Sequence, residues 1–346
     1  MIAFQEKMPV SSAQRAKRTL ALAEREVFLK WFESDLPIAI LEIAESSLLN
    51  IDPKMLVREY FGEVQWAESV YPLVARTERQ SATTCFEIAG HEIGGTQFTL
   101  IGGPCAVEDE EQILETARGV KAAGVQFLRG GAYKPRTSPY RFDGLKNIGM
   151  ELLALAKEKT GLGICTEILS ERDVDRVAQV ADLLQVGARN MQNFALLHEV
   201  GRSGHPVLLK RGFGCSVEEM LHAAEHLLAH GTKKLLLMER GIRTFESSTR
   251  FTFDANAVAI LKRETHLPVL VDPSHATGRR ELLLPVARSA AALGCDGVMF
   301  ETHPSPANAK SDGEQSLPLS EVSDFLGKLT PIVEAMGRTM PLSTKK

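Results

Sequence analysis

Between Leu128 and Phe142 the sequence LRGGAYKPRTSPYRF places Arg129, Lys134, Arg136 and Arg141 in a stretch broken by Gly, Pro and Ser. A solvated helix face would space such charges among helix formers. This segment reads instead as a strand end running into a loop whose cations serve an anion. Other short apolar runs end in the same way, at Arg189, at Lys210 and Arg211, and at Arg240 and Arg243. A single arginine at a strand end most often makes a weak, exposed ion pair. Eight cations (Arg129, Lys134, Arg136, Arg189, Lys210, Arg211, Arg240, Arg243) gathered on one rim would repel one another unless anionic ligands offset them. Guanidinium forks suit phosphate and carboxylate oxygens in particular, and so many cations imply more than one anionic group.

A second set consists of Cys105, His275, Glu301 and Asp312. Taken singly, a free cysteine is most often a small buried apolar residue, and a histidine is a satisfied polar group or an acid–base residue. Brought together, a thiolate, an imidazole and two carboxylates make a mixed S/N/O site for a divalent transition ion such as Mn, Fe, Zn or Co. Magnesium prefers all-oxygen surroundings. Glu167 and Asp272 also follow apolar runs, and His303 stands close behind Glu301 with a contact or a surface role open to it. Cys165 and Cys295 lie in apolar contexts and read as core, while His205, His222, His226, His230 and His266 receive no role. No G-x-G-x-x-G, G-x-S-x-G or C-x-x-C pattern is present.

The elements that must position these residues are legible from residue 98 onward. Strand-like runs begin at Phe98, Gln126, Leu162, Leu183, Pro206, Lys234, Pro268 and Gly297, and each is followed by a segment of helical spacing. Near-continuous apolar strands alternating with helices predict a parallel sheet covered on its outer side, and eight units close most naturally into a (β/α)8 TIM barrel, an α/β fold. A doubly wound open sheet is the alternative. Barrel closure makes strands one, seven and eight neighbours, and it puts the strand-end residues on one rim.

Residues 1–76 predict a small α+β domain in the order β-α-β-β-α-β, a ferredoxin-like arrangement. Its first helix is expected to span SAQRAKRTLALAEREVFL, strands are expected at MIAF and near LKWFES, and VQWAESVYPLV reads as its last strand. Residues 77–97 are expected to form a linker and a hairpin turning at Gly90–His91 that plugs the bottom of the barrel. The catalytic barrel would then occupy residues 98–340.

The chain has 346 residues, 44% of them hydrophobic, with a formal net charge of −4 and a pI near 6.2. Such a charge argues against nucleic-acid binding. Five dispersed cysteines suggest a reducing compartment without a disulfide framework. No signal peptide and no apolar run long enough to span a membrane is evident, so a cytoplasmic protein is expected.

The motifs GPCAVED, LRGGAYKPRTSPY, VGARNMQN, LLKRG, ERGIRTF, DPSHATGRR and ETHP…SDGEQSL, in barrel order from about Phe98 to Leu317, closely resemble the short Iβ-type 3-deoxy-D-arabino-heptulosonate 7-phosphate (DAHP) synthases. The resemblance implies the first step of the shikimate pathway, in which phosphoenolpyruvate, erythrose 4-phosphate and water give DAHP and phosphate. It implies that Arg129, Lys134, Arg189, Lys210 and Arg240 bind the phosphate and carboxylate of phosphoenolpyruvate. Arg136 and Thr137, with Ser138, would hold the phosphate of erythrose 4-phosphate. Cys105, His275, Glu301 and Asp312 match the family's metal ligands. Lys134 or metal-bound water would protonate the new alkoxide, and Glu167 would position the attacking water. The resemblance further implies a homo-oligomer, tetramer or dimer, and makes residues 1–76 a regulatory domain for an aromatic amino acid such as Tyr or Phe. Two other readings stand beside it. One is a 3-deoxy-D-manno-octulosonate 8-phosphate synthase acting on arabinose 5-phosphate, whose typical K-A-N-R-type stretch differs from Lys-Pro-Arg-Thr at 134–137. The other is a catalytically silent sensor or scaffold barrel.

Overall fold

The computed structural model describes residues 2–6, 11–23, 27–32, 38–43, 52–61, 64–66, 69–78, 80–134, 140 and 142–341. The chain divides into two compact units, Met1–Ala75 and Arg76–Lys346.

Unit 1 runs β1 (Ile2–Glu6), α1 (Ser12–Ala23), β2 (Val27–Phe32), β3 (Ile38–Ile43), α2 (Pro53–Phe61), β4 (Val64–Trp66). Its sheet has the order β2-β3-β1-β4, with antiparallel pairing throughout. Phe4, Leu22, Val27, Leu41, Leu56 and Val57 form its core. Two sequence expectations are corrected here. The first helix ends at Ala23, and Val27–Leu29 belong to β2, because the Val-Phe-Leu-Lys-Trp-Phe run is rich in β-branched and aromatic side chains that favour a pleated surface. The last strand stops at Trp66, and Pro72 to Val74 form a turn. Proline there lacks the N–H that a ladder would need.

Unit 2 opens with the hairpin β5 (Phe86–Ile88) and β6 (His91–Ile93). Its two loop residues are Ala89 and Gly90, both at positive φ (50° and 78°), so the turn lies one residue earlier than the sequence suggested. Such a left-handed pair matches the twist of the flanking strands. There follow β7 (Thr99–Gly103), α3 (Glu110–Ala122), β8 (Phe127–Arg129), α4 (Asn147–Thr160), β9 (Gly163–Ile168), α5 (Val174–Ala178), β10 (Leu183–Val186) and α6 (Phe194–Arg202). The chain continues through β11 (Val207–Lys210), α7 (Val217–Ala229), β12 (Leu235–Glu239), α8 (Ala255–Glu264), β13 (Val269–Val271), α9 (Pro273–Thr277) and α10 (Leu283–Ala292). It ends with β14 (Gly297–His303), β15 (Leu317–Pro318) and α11 (Val322–Ala335).

Strands β7 to β14 pair in parallel in sequence order, and β14 pairs with both β13 and β7, which closes a TIM barrel. The short apolar strands are buried along their whole length. Every barrel strand sends at least one side chain inward, among them Ile101, Phe127, Cys165, Leu183, Leu208, Leu236, Leu270 and Met299. Ile88 and Ile93 of the hairpin join that cluster. Lys234, just before β12, donates to the Glu87 carbonyl at 2.6 Å, which places the hairpin at the N-terminal ends of the strands. One end of the barrel is thereby stoppered, and the opposite end is left for chemistry. Among the described residues no helix is long and apolar enough to cross a membrane.

Candidate active site and metal centre

Because β13, β14, β7 and β8 are consecutive around the barrel, their C-terminal ends deliver side chains to one place. The sequence Asp-Pro-Ser-His builds the first part. Asp272 caps α9 by accepting from the His275 backbone N–H at 3.0 Å, and Pro273 at the first helical position presets the turn. His275 therefore sits one turn above its own cap, and Asp272 Oδ2 also meets His275 Nδ1 at 2.7 Å. The ring's other nitrogen, Nε2, is left to face Glu301 Oε1 at 3.3 Å. Glu301 comes from β14, fully buried, and its own N–H donates to Ser274 Oγ at 2.9 Å. Asp312 lies in the loop beyond, at φ 54°, a left-handed conformation that aspartate tolerates better than most residues. Its Oδ2 accepts from the Cys105 thiol at 3.0 Å.

The ligand atoms of Cys105, His275, Glu301 and Asp312 all lie within 4.8 Å of one another. Burial, with the Glu301 charge added, pushes the Cys105 thiol up to about 12, consistent with its donating to Asp312. Burial would also raise the two carboxyls. The charge of His275, aided by Arg129 at Glu301 and by Arg250 at Asp312, outweighs it and holds both below the usual carboxylate range. Arg250 itself meets Asp312 Oδ1 at 3.2 Å. One sulfur, one imidazole nitrogen and two carboxylates suit a borderline divalent transition ion. The carboxylate holding the imidazole's far nitrogen is the usual companion of a metal-bound histidine. The residues present therefore fit a metal.

The cation set is contiguous with this cluster. Arg129 reaches Glu301 Oε1 at 2.8 Å, and Lys134 Nζ donates to Cys105 Sγ at 3.0 Å and to the Cys105 carbonyl at 2.9 Å. Lys210, buried at the end of β11, is paired with Asp272 Oδ2. Three more cations stand around Phe213, with the guanidinium carbons of Arg189, Arg240 and Arg243 at 5.2, 4.9 and 5.3 Å from its ring centre. Arg240 is also 4.1 Å from the Phe251 ring. It is 3% exposed, its Nη1 has no hydrogen-bond partner among the described residues, and burial pushes its pKa down to about 10. A buried guanidinium with an unused donor calls for an anion.

Not every sequence candidate joins these contacts. Arg211 is occupied elsewhere, by Glu239 at 3.0 Å and Asp254 at 2.8 Å, so the rim of eight loses one member to an internal ion pair. Glu167 lies on β9, half-buried, with its carboxylate packed against Gly187, where a Cβ would come within 1.8 Å of Oε1. It is not part of the four-residue cluster. His303 stands 3.6 Å from Glu108 and likewise lies outside that cluster. Cys165 and Cys295 are buried. Arg136, Thr137, Ser138 and Arg141 fall outside the described residues. In the sequence Asp272 reads only as a strand-end carboxylate; in the structure that one carboxylate holds both His275 and Lys210. The signal available was the Asp-x-x-His spacing across a proline-started helix.

Known proteins resemble this chain along most of its length. The family profile described as "DAHP synthetase I family" matches residues 80–336. A phospho-2-dehydro-3-deoxyheptonate aldolase of Thermotoga maritima is 42% identical over 337 residues, covering 95% of this chain and 97% of that protein. The crystal structure of a T. maritima enzyme of that name, also titled DAHP synthase, superposes with a TM-score of 0.76 at 38% identity, covering 98% of each chain. A 2-dehydro-3-deoxyphosphooctonate aldolase of Polaromonas naphthalenivorans is more distant, at 32% identity over 70% of this chain and 93% of that protein. A profile matching well over half of the chain, and a relative aligned along nearly all of it, place this protein in the DAHP synthetase I family.

Proposed function

We propose that this chain joins phosphoenolpyruvate to erythrose 4-phosphate with the side chains assembled at the C-terminal rim of its barrel. The observation that carries this reading is the fusion of the cation set with the thiol–imidazole–carboxylate set through the Arg129–Glu301 and Lys134–Cys105 contacts. An enzyme that binds two phosphorylated substrates and activates an aldehyde needs both sets within reach of one substrate pair.

In this reading Arg129, Lys134, Arg189, Lys210 and Arg240 grip the phosphate and carboxylate of phosphoenolpyruvate. Arg136 and Thr137, with Ser138 nearby, hold the phosphate of erythrose 4-phosphate, an assignment that rests on family resemblance. Cys105, His275, Glu301 and Asp312 would hold a divalent ion (Mn, Fe, Zn or Co) that supplies Lewis acidity toward the aldehyde oxygen and a template for the two substrates. Carbon 3 of phosphoenolpyruvate then adds to the aldehyde carbon, water attacks carbon 2, and phosphate departs with cleavage of its C–O bond. Lys134 Nζ delivers a proton to the new alkoxide oxygen. Glu167, on the neighbouring strand, orients the water. The balance of positive side chains keeps the anionic substrates bound while charge moves toward the leaving phosphate.

The test is phosphate release from phosphoenolpyruvate by metal-loaded protein, with erythrose 4-phosphate and arabinose 5-phosphate as alternative acceptors and a chelator control. Chelator-sensitive turnover with erythrose 4-phosphate alone is the expected result. Turnover confined to arabinose 5-phosphate would assign the octulosonate reaction instead, and none with either acceptor would leave a silent barrel.

Residues 1–76 fit a regulatory domain that binds an aromatic amino acid, and the assembly is a homo-oligomer, tetramer or dimer, in the same reading. The β-α-β-β-α-β order of unit 1 and its separate core support a module added to a working barrel. A truncated form of the T. maritima DAHP synthase, itself a solved structure, superposes over 79% of this chain and 100% of its own, with a TM-score of 0.74 and 45% identity. Deleting residues 1–76 is expected to keep turnover and to abolish inhibition by tyrosine or phenylalanine. Inhibition that survives the deletion would sink the regulatory assignment.

A further inference from the structure

On the outer, helical layer of the barrel, three of the chain's nine histidines gather on two adjacent helices. His198 belongs to α6, His226 to the last turn of α7, and His230 caps α7. One nitrogen from each ring lies within 4.8 Å of the others, and all three residues are half-buried. We propose that His198, His226 and His230 form a second metal site, for a borderline divalent ion of the zinc type, distinct from the barrel-rim cluster.

The local geometry supports this beyond proximity. His198 Nε2 and His226 Nδ1 stand 3.1 Å apart, so a single proton must bridge two nitrogens that both present lone pairs along the same line. Ligands of a tetrahedral zinc bound at about 2.0–2.1 Å are themselves about 3.3 Å apart, so the spacing suits an ion in place of that proton once the rings turn to aim their lone pairs off the shared line. His230 Nδ1 is 2.8 Å from the His226 carbonyl, which can only accept. That bond assigns the ring proton to Nδ1 and leaves Nε2 as a donor to a metal. Fixing the tautomer through the far nitrogen is what metal-binding histidines ordinarily require.

The packing between the helices is shaped to allow the cluster. A Cβ at Gly201 of α6 would stand 2.7 Å from His230 Cβ and 3.0 Å from the Leu227 carbonyl, so only glycine lets α6 approach here. The His198 and His230 rings stack at 3.8 Å with an 11° tilt, a contact that needs this close approach. An all-imidazole donor set favours zinc, copper, nickel or cobalt over magnesium, calcium or manganese. It differs from the rim cluster in lacking sulfur and carboxylate, which gives the two sites separate spectroscopic signatures.

The experiment titrates the metal-stripped, full-length protein with zinc against a chromophoric indicator, alongside His198→Gln, His226→Gln and Cys105→Ala variants. Wild type is expected to take two equivalents per chain, and each of the three variants one. Cobalt loading of the two histidine variants should retain the thiolate charge-transfer band of the rim site, and their turnover should match wild type, which shows that the barrel is folded. A wild type that binds one equivalent, lost in Cys105→Ala and kept in both histidine variants, overturns the proposal. So does a second equivalent that survives both His198→Gln and His226→Gln.

Discussion

Replacing Arg240 by leucine is expected to raise the KM for phosphoenolpyruvate by roughly 10²-fold or more while making the unliganded protein more stable. The two effects come from one observation, a guanidinium 3% exposed whose Nη1 has no partner among the described residues. Truncating one partner of a buried, hydrogen-bonded charge pair costs about 2–5 kcal/mol, and each 1.4 kcal/mol is tenfold in affinity. On the stability side, burial lowers Arg240 from 12.5 to about 10. A cation whose pKa is depressed on folding destabilises the fold at every pH below its folded value, and the burden lifts only as pH rises through about 10. A shift of that size corresponds to about 3 kcal/mol at neutral pH, so leucine should recover part of it, less the stacking on Phe251 that it forfeits. Denaturant melts of the unliganded proteins and KM measurements check both signs. A variant that is both less stable and unchanged in KM would remove Arg240 from the substrate site.

The eight barrel strands were legible because strands buried on both faces are written as unbroken apolar runs, and the residues ending those runs inherit a common rim once the barrel closes. Cys105, His275, Glu301 and Asp312, three of them separated by more than a hundred positions from Cys105, could be gathered on paper for that reason alone. The partners that tune them were harder to see. Lys210 and Arg211 are adjacent in sequence and identical in charge, yet one faces Asp272 inside the rim and the other pairs with Glu239 and Asp254. Which of two neighbouring cations points inward depends on the alternation of side chains at a strand's last residue, and one position of uncertainty in the strand end reverses it. The end of α1 was lost to a similar ambiguity, since Val27–Leu29 are apolar at a spacing that also fits a helix. His226 and His230 show an i, i+4 spacing in the sequence, but the third member, His198, arrives from a different helix and carries no local mark. Contacts between elements that are each correctly read still require the packing between them.

Asp272→Asn is expected to weaken binding of the rim metal by about 10- to 100-fold and to destabilise the fold by about 3–5 kcal/mol. Asp272 is fully buried and serves two groups at once, holding His275 Nδ1 at 2.7 Å and pairing with Lys210. Burial opposes its ionisation, but the charges of His275 and Lys210 outweigh this and hold its carboxyl well below the usual range. An asparagine keeps the shape and loses the charge. Its single oxygen can serve either the His275 backbone N–H or the position shared by His275 Nδ1 and Lys210 Nζ, but not both, which loosens the hold on His275 and in either case leaves a buried ammonium without its counter-charge. The two consequences separate in a double variant. Adding Lys210→Met removes the stranded charge, so stability should return toward wild type, while metal affinity stays weak because the imidazole remains unheld. Metal titration and denaturant melts on the three proteins read the two quantities independently. If metal affinity recovers along with stability in the double variant, Asp272 acts only by neutralising Lys210, and its role in positioning His275 is wrong.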